Sequence, residues 1–130
     1  MEKQVLSINQ MQNLKELGVD TSKASLTWML HPYDENKEPG ISLRKWSTFK
    51  EPFREYHCVP AFTLQDIINI IPEIIDAHIF TIEKKYGLWS CMYLESCTRS
   101  IIRIKTNKEL INAAYEMLCW CAENGYLNKK

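Results

Sequence analysis

Five cysteines and three histidines are the residues of this chain with the chemistry of nucleophiles, metal ligands and redox groups. The densest pair is Cys119-Trp120-Cys121, inside "MLCWCAEN" at 117–124. If this segment is helical, about 100° per residue puts Leu110, Ala114, Met117, Leu118 and Cys121 on one apolar face. Asn112, Glu116 and Glu123 gather opposite, and Cys119 falls roughly 160–200° around the helix from Cys121. Side chains that point apart neither share an ion nor close a disulfide while the helix is intact. Cys121 is therefore expected as a small core residue and Cys119 as a flanking one.

The other thiols have no clearer pattern. Cys91 and Cys97 lack the close-pair spacing of a structural zinc site, so no metal is expected. His57-Cys58 is an adjacent pair. A cysteine nucleophile needs a histidine near it in space, so Cys58 with His31 or His78 defines an alternative reading, a small thiol- or His-dependent enzyme. With four glycines the chain has no GxGxxG, Walker or GxSxG motif, and no cofactor is expected. Asp34, Glu35 and Glu38 crowd one loop without the alternating ligands and central glycine of a calcium loop, which predicts a solvated turn.

Charge narrows the partner classes. Lys+Arg and Asp+Glu are 16 each, and residues 1–65 and 66–130 each carry eight of either sign. Nucleic-acid binders usually show a basic excess, because neutralising phosphates drives their affinity. Single-stranded nucleic acid therefore ranks behind protein as a partner. "MEKQVLSINQMQ" has no apolar signal-peptide core, and "IINIIPEII" (67–75) is short for a bilayer span and broken by Pro72. An odd cysteine count without CxxC fits reduced thiols, and a cytoplasmic location is expected.

The elements that would position these groups begin with three helix-start signals. Ser7 with Gln10 forms a capping box, with Leu6 and Met11 as its hydrophobic staple. Thr63 with Asp66 repeats it, with Phe62 and Ile67 as staple, and Thr106 with Glu109 gives a third. Gly18, Pro72 and Asn124-Gly125 are the expected stops. "ASLTWML" (24–30) and "ISLRKW" (41–46) read as a hairpin, and three further strands are expected over 77–84, 88–95 and 100–105. Segment 47–60 shows no clean period. The order α-β-β-α-β-β-β-α predicts one α+β domain over residues 1–130, an antiparallel sheet of about five strands with helices mainly on one face.

Strand alternation then suggests a surface. In "LWSCMYLE", Leu88, Ser90, Met92 and Leu94 point one way and are expected beneath the last helix. Trp89 and Tyr93 point the other way. In the next strand Ile102 and Ile104 oppose Arg103 and Lys105. Trp89, Tyr93, Arg103 and Lys105 would thus share the face away from the helices, an aromatic and basic patch suited to a protein partner or a second copy. The competing expectation is that the hairpin, with Trp28, Trp46 and Phe49, covers this face.

"ELGVDTSKAS" (16–25), "VPAFTLQDIINIIP" (59–72) and "AAYEMLCWCAENGYL" (113–127) resemble small uncharacterised proteins of gut bacteria, often carried on prophages and mobile elements. The resemblance spans most of the chain and brings no catalytic residues. It implies a compact cytoplasmic accessory protein. Together these readings point to a protein-binding or assembly module, possible as a homo-oligomer and not membrane-bound.

Overall fold

The computed structural model describes residues 4–31 and 36–127. Asp34 and Glu35 of the acidic loop lie outside the described residues. Cα packing divides the chain into two compact units, one over Val5–Asp66 and one from Ile67 onward.

The first unit opens with α1 (Ile8–Glu16). Its capping box is formed: Ser7 Oγ accepts the Gln10 N–H at 3.1 Å, and Gln10 Oε1 accepts the Ser7 N–H at 2.9 Å. Leu6 and Met11 are both buried, as a staple requires. At the far end Gly18, at φ +87°, turns the chain out of the helix. Val19 N–H then reaches the Leu14 carbonyl and Gly18 N–H that of Lys15, which satisfies two orphan carbonyls.

β1 (Leu26–Met29) and β2 (Gly40–Ser42) form the expected hairpin, with Trp28 opposite Ile41. The segment without a period resolves into a 3₁₀ turn (Trp46–Thr48), α2 (Phe53–His57) and β3 (Cys58–Ala61). β3 pairs antiparallel with the other side of β1, completing a sheet of order β2-β1-β3. Pro60 is tolerated there because β3 is an edge, where a missing N–H costs no ladder bond.

α3 (Leu64–Ile70) starts where Thr63 predicts. Asp66 N–H donates to Thr63 Oγ1 at 3.2 Å and Thr63 N–H to Asp66 Oδ2 at 3.0 Å. The same carboxylate accepts the backbone N–H and hydroxyl of Ser25 at 3.0 and 2.6 Å, so one cap also ties down the start of β1.

The second unit holds β4 (Ile74–Ile75), β5 (His78–Lys85), β6 (Leu88–Leu94) and β7 (Ile101–Asn107), a four-stranded antiparallel sheet in chain order. β5 and β6 meet at Lys85 and Leu88 through the two-residue turn Tyr86-Gly87. Both turn residues have positive φ, the backbone hand that matches strand twist. α4 (Leu110–Glu123) packs across β6 and β7 and buries Ile111, Ala113, Ala114, Met117, Leu118 and Cys121. It ends as α1 does, with Gly125 at φ +75° and Tyr126 N–H reaching the Cys121 carbonyl.

The α+β class and antiparallel pairing are those expected, and three details differ. Among the described residues the strands number seven and form two sheets rather than one, because Cys58–Ala61 pairs with β1 to complete one sheet and Ile74–Ile75 pairs with β5 to extend the other. The four α-helices include the short α2. Thr106 caps nothing: β7 runs on to Asn107, and Asn107 Oδ1 accepts the Glu109 N–H at 3.0 Å. The pairing of Thr106 with Ser90 outweighs the local cap signal.

Candidate protein-binding surface

β6 decides what the second unit shows to solvent. Its register sets Phe80, Tyr93 and Arg103 side by side across three strands, and likewise Ile82, Cys91 and Lys105. That set faces α4. The Tyr93 ring lies 6.1 Å from Trp120 and 5.7 Å from Phe80. Its hydroxyl donates to the Pro72 carbonyl at 2.7 Å and lies 3.7 Å from Cys121 Sγ. Asn107, on the same face, donates from Nδ2 to Glu116 of α4 at 3.3 Å.

The expected facing of β6 is therefore reversed. Tyr93 is fully buried, and α4 of the same unit covers it through Trp120 and Cys121. The physical reason is that both ends of the side chain are satisfied there: the ring packs on Trp120 of α4 and on Phe80, and the hydroxyl finds the Pro72 carbonyl. Trp89, farther along, is half-buried with Lys84 Nζ 5.0 Å from its ring centre, Arg103 is exposed and Lys105 half-buried. The structure thus brings Trp89, Arg103 and Lys105 to the rim of the helix-covered face and removes Tyr93 from any surface.

The open face carries the aliphatics instead. Ile74, Ile79, Leu88, Ile101 and Ile104 are each between 39% and 55% exposed. Pairing places four of them together: Ile74 opposite Ile79, Ile79 opposite Leu94, Leu94 opposite Ile101, and Ile104 opposite the buried Met92. Leu88 stands apart beside the β5–β6 turn, opposite Lys85. Ile101 joins Ile104 on this face because the ladder shifts between Tyr93 and Leu94, which leaves Ile102 as the extra residue. Simple alternation groups Ile102 with Ile104 and misses both the bulge and the open face.

The thiols are placed for packing. Cys91 and Cys121 are buried, and desolvation raises both, Cys91 to about 12 with the Glu116 charge adding to it. Desolvation also pushes the Tyr93 phenol well above its ordinary range. Cys119 is half-buried and Cys97 exposed. His78 bridges the Asp76 carbonyl, 2.6 Å from Nδ1, and Ser100 Oγ, 2.9 Å from Nε2. Glu95 shapes the turn before β7 by accepting the Thr98 hydroxyl and the Cys97 and Thr98 N–H groups, which lowers its carboxyl below the usual range.

A cleft of about 770 Å³ lies within the first unit, lined in part by Met11, Trp46, Pro52, Arg54, Cys58 and Pro60. Arg54 stacks 4.1 Å from the Trp46 ring centre and pairs with Glu51 at 3.1 Å. No histidine lines it. Cys58 is buried with Sγ 3.9 Å from Met29 Sδ, and desolvation raises its thiol. His57 stacks on Phe53 at 4.6 Å. A raised thiol is the opposite of an activated nucleophile. Among the described residues no three His, Cys, Asp or Glu side chains are grouped to hold a metal ion, and no helix is long and apolar enough to cross a membrane.

Comparison with known proteins finds no matching family, no matching curated protein and no matching solved structure.

Proposed function

We propose that the protein is a protein-binding module that works through the four-stranded sheet of its second unit. The observation that supports this is the open aliphatic face. Ile74, Ile79, Ile101 and Ile104 are exposed near one another on one side of a sheet whose other side is filled by α4. Clustered exposed apolar surface of this kind marks interaction sites more than isolated exposed residues do. The polar row on this face, Glu83, Ser90 and Thr106, crosses the sheet on the turn side of the isoleucines. Its two hydroxyls are bonded to each other at 3.0 Å, which favours association over catalysis. An accessory role in a phage or mobile-element setting rests on the sequence resemblance alone.

The test is capture with the tagged protein from bacterial lysate with and without nuclease, beside the double variant Ile79→Asp, Ile104→Asp. Both positions are about half exposed, so each substitution should cost about 1–2 kcal/mol, and the variant's fold is checked by circular dichroism before capture. The expected result is a protein retained by the wild type and lost by the folded variant. A partner retained equally by both, or only nuclease-sensitive material, would overturn the reading.

A further inference from the structure

The strands at the sheet margins are protected very unequally. β2 is three residues long, β4 is two, and β3 carries Pro60. β7 is seven residues long and stands at the margin of its sheet. Among the described residues its backbone makes no hydrogen bond outside the ladder with β6. A strand in that position offers a row of unused N–H and C=O groups to any extended chain.

Its charge is equally one-sided. The chain as a whole is neutral, yet residues 96–108 contain Arg99, Arg103, Lys105 and Lys108 and no acid. Among the described residues none of the four takes part in an ion pair. Arg103 and Lys105 project on one face of β7, and Ile101 and Ile104 on the other. A second copy fits this edge poorly. An antiparallel two-fold centred on Ile104 sets Arg103 against Lys105 of the other copy, and one centred on Arg103 or Lys105 sets that cation against itself. Like charges directly opposite destabilise a strand pair.

We propose that the edge of β7 accepts an extended acidic segment of a partner protein as an added strand. Its carboxylates, two residues apart, stand opposite Arg103 and Lys105, and its intervening apolar residues extend the open face beside Ile101 and Ile104. Main-chain bonds then supply affinity and the side-chain alternation supplies selectivity. This rests on the protein-binding reading and names the chemistry of the partner.

The probe is a synthetic peptide of alternating valine and glutamate matched in length to β7, with a valine–lysine peptide as control. Binding is followed by fluorescence anisotropy and by backbone amide shifts in the full chain. The glutamate peptide should bind, shift amides of β7 and weaken with added salt. N-methylation of its alternate amides should abolish binding in one frame and spare it in the other. Arg103→Glu with Lys105→Glu should weaken it at least about tenfold and confer binding of the lysine peptide, with circular dichroism unchanged.

Absence of binding, shifts confined elsewhere, or indifference to N-methylation in both frames would overturn the proposal. So would sedimentation showing a wild-type dimer that the double variant dissolves. If the peptide fails while the open-face variant still loses its captured partner, only the strand-addition inference falls. If both fail, the binding reading falls with it.

Discussion

The two units hold themselves together in different ways. In the first, the strands run four, three and four residues, too short for backbone ladders to set its shape. Side chains reach across it instead. Asp66 holds Ser25, Trp28 Nε1 donates to the Leu6 carbonyl at 2.9 Å, and Thr27 Oγ1 donates to the Arg44 carbonyl at 2.9 Å. In the second unit, β5, β6 and β7 run eight, seven and seven residues under one helix, and an aromatic stack of Phe80, Tyr93, Trp120 and Tyr126 fills the gap. Long ladders make a sheet self-supporting, and they also leave a long margin unpaired. The unit that is better ordered by its backbone is thus the one with an edge and a face to offer.

The largest test of that contrast is Tyr93→Ala. Removing the ring opens a cavity beneath α4 and strands the Pro72 carbonyl, so urea unfolding should show a loss of about 3–5 kcal/mol. Tyr93→Phe keeps the ring and should cost only about 1–2 kcal/mol. A small effect of Tyr93→Ala would mean that the second unit depends on its ladders and not on the stack.

Next in size is Asp66→Ala, which removes the cap of α3 and both bonds to Ser25. Charged hydrogen bonds to a half-buried carboxylate suggest a loss of about 2–3 kcal/mol. Hydrogen exchange should quicken first in β1, the strand that Ser25 precedes. Uniform exchange throughout the chain would show that the first unit does not rely on this tie.

The smallest effect at neutral pH, growing with alkalinity, belongs to the thiol beneath α4. Burial raises Cys91 in the folded chain from about 9 to about 12. The folded state then holds its proton more tightly than the unfolded state, so this contribution is complete below pH 9 and lost as pH climbs through the folded value. Thermal unfolding should fall between pH 9 and 12, and less steeply in Cys91→Ala. Equal slopes for the two proteins would place the alkaline sensitivity elsewhere, with Tyr93 as the next group to examine.

Much of this was legible in the residue order because it is local chemistry. Ser7 with Gln10, Thr63 with Asp66, and the glycines at 18 and 125 each act within a few residues, and each acts as its neighbours dictate. The placing of Cys121 in the core and Cys119 at its flank followed from helix geometry in the same way. The Thr106 signal was local too, and it lost to a strand pairing that no window of a few residues contains.

Local sequence therefore determined the element types, most of their ends and the neutral, thiol-bearing character of the chain. Tertiary structure alone decided that Cys58–Ala61 completes a separate sheet, that Tyr93 faces α4, and that a bulge turns Ile101 outward beside Ile104. Alternation divides a strand into two faces, but it does not say which face is covered. That choice is made by what packs on top, and here Trp120 of α4 and the Pro72 carbonyl take the ring and hydroxyl of Tyr93 inward and leave Ile101 and Ile104 facing out.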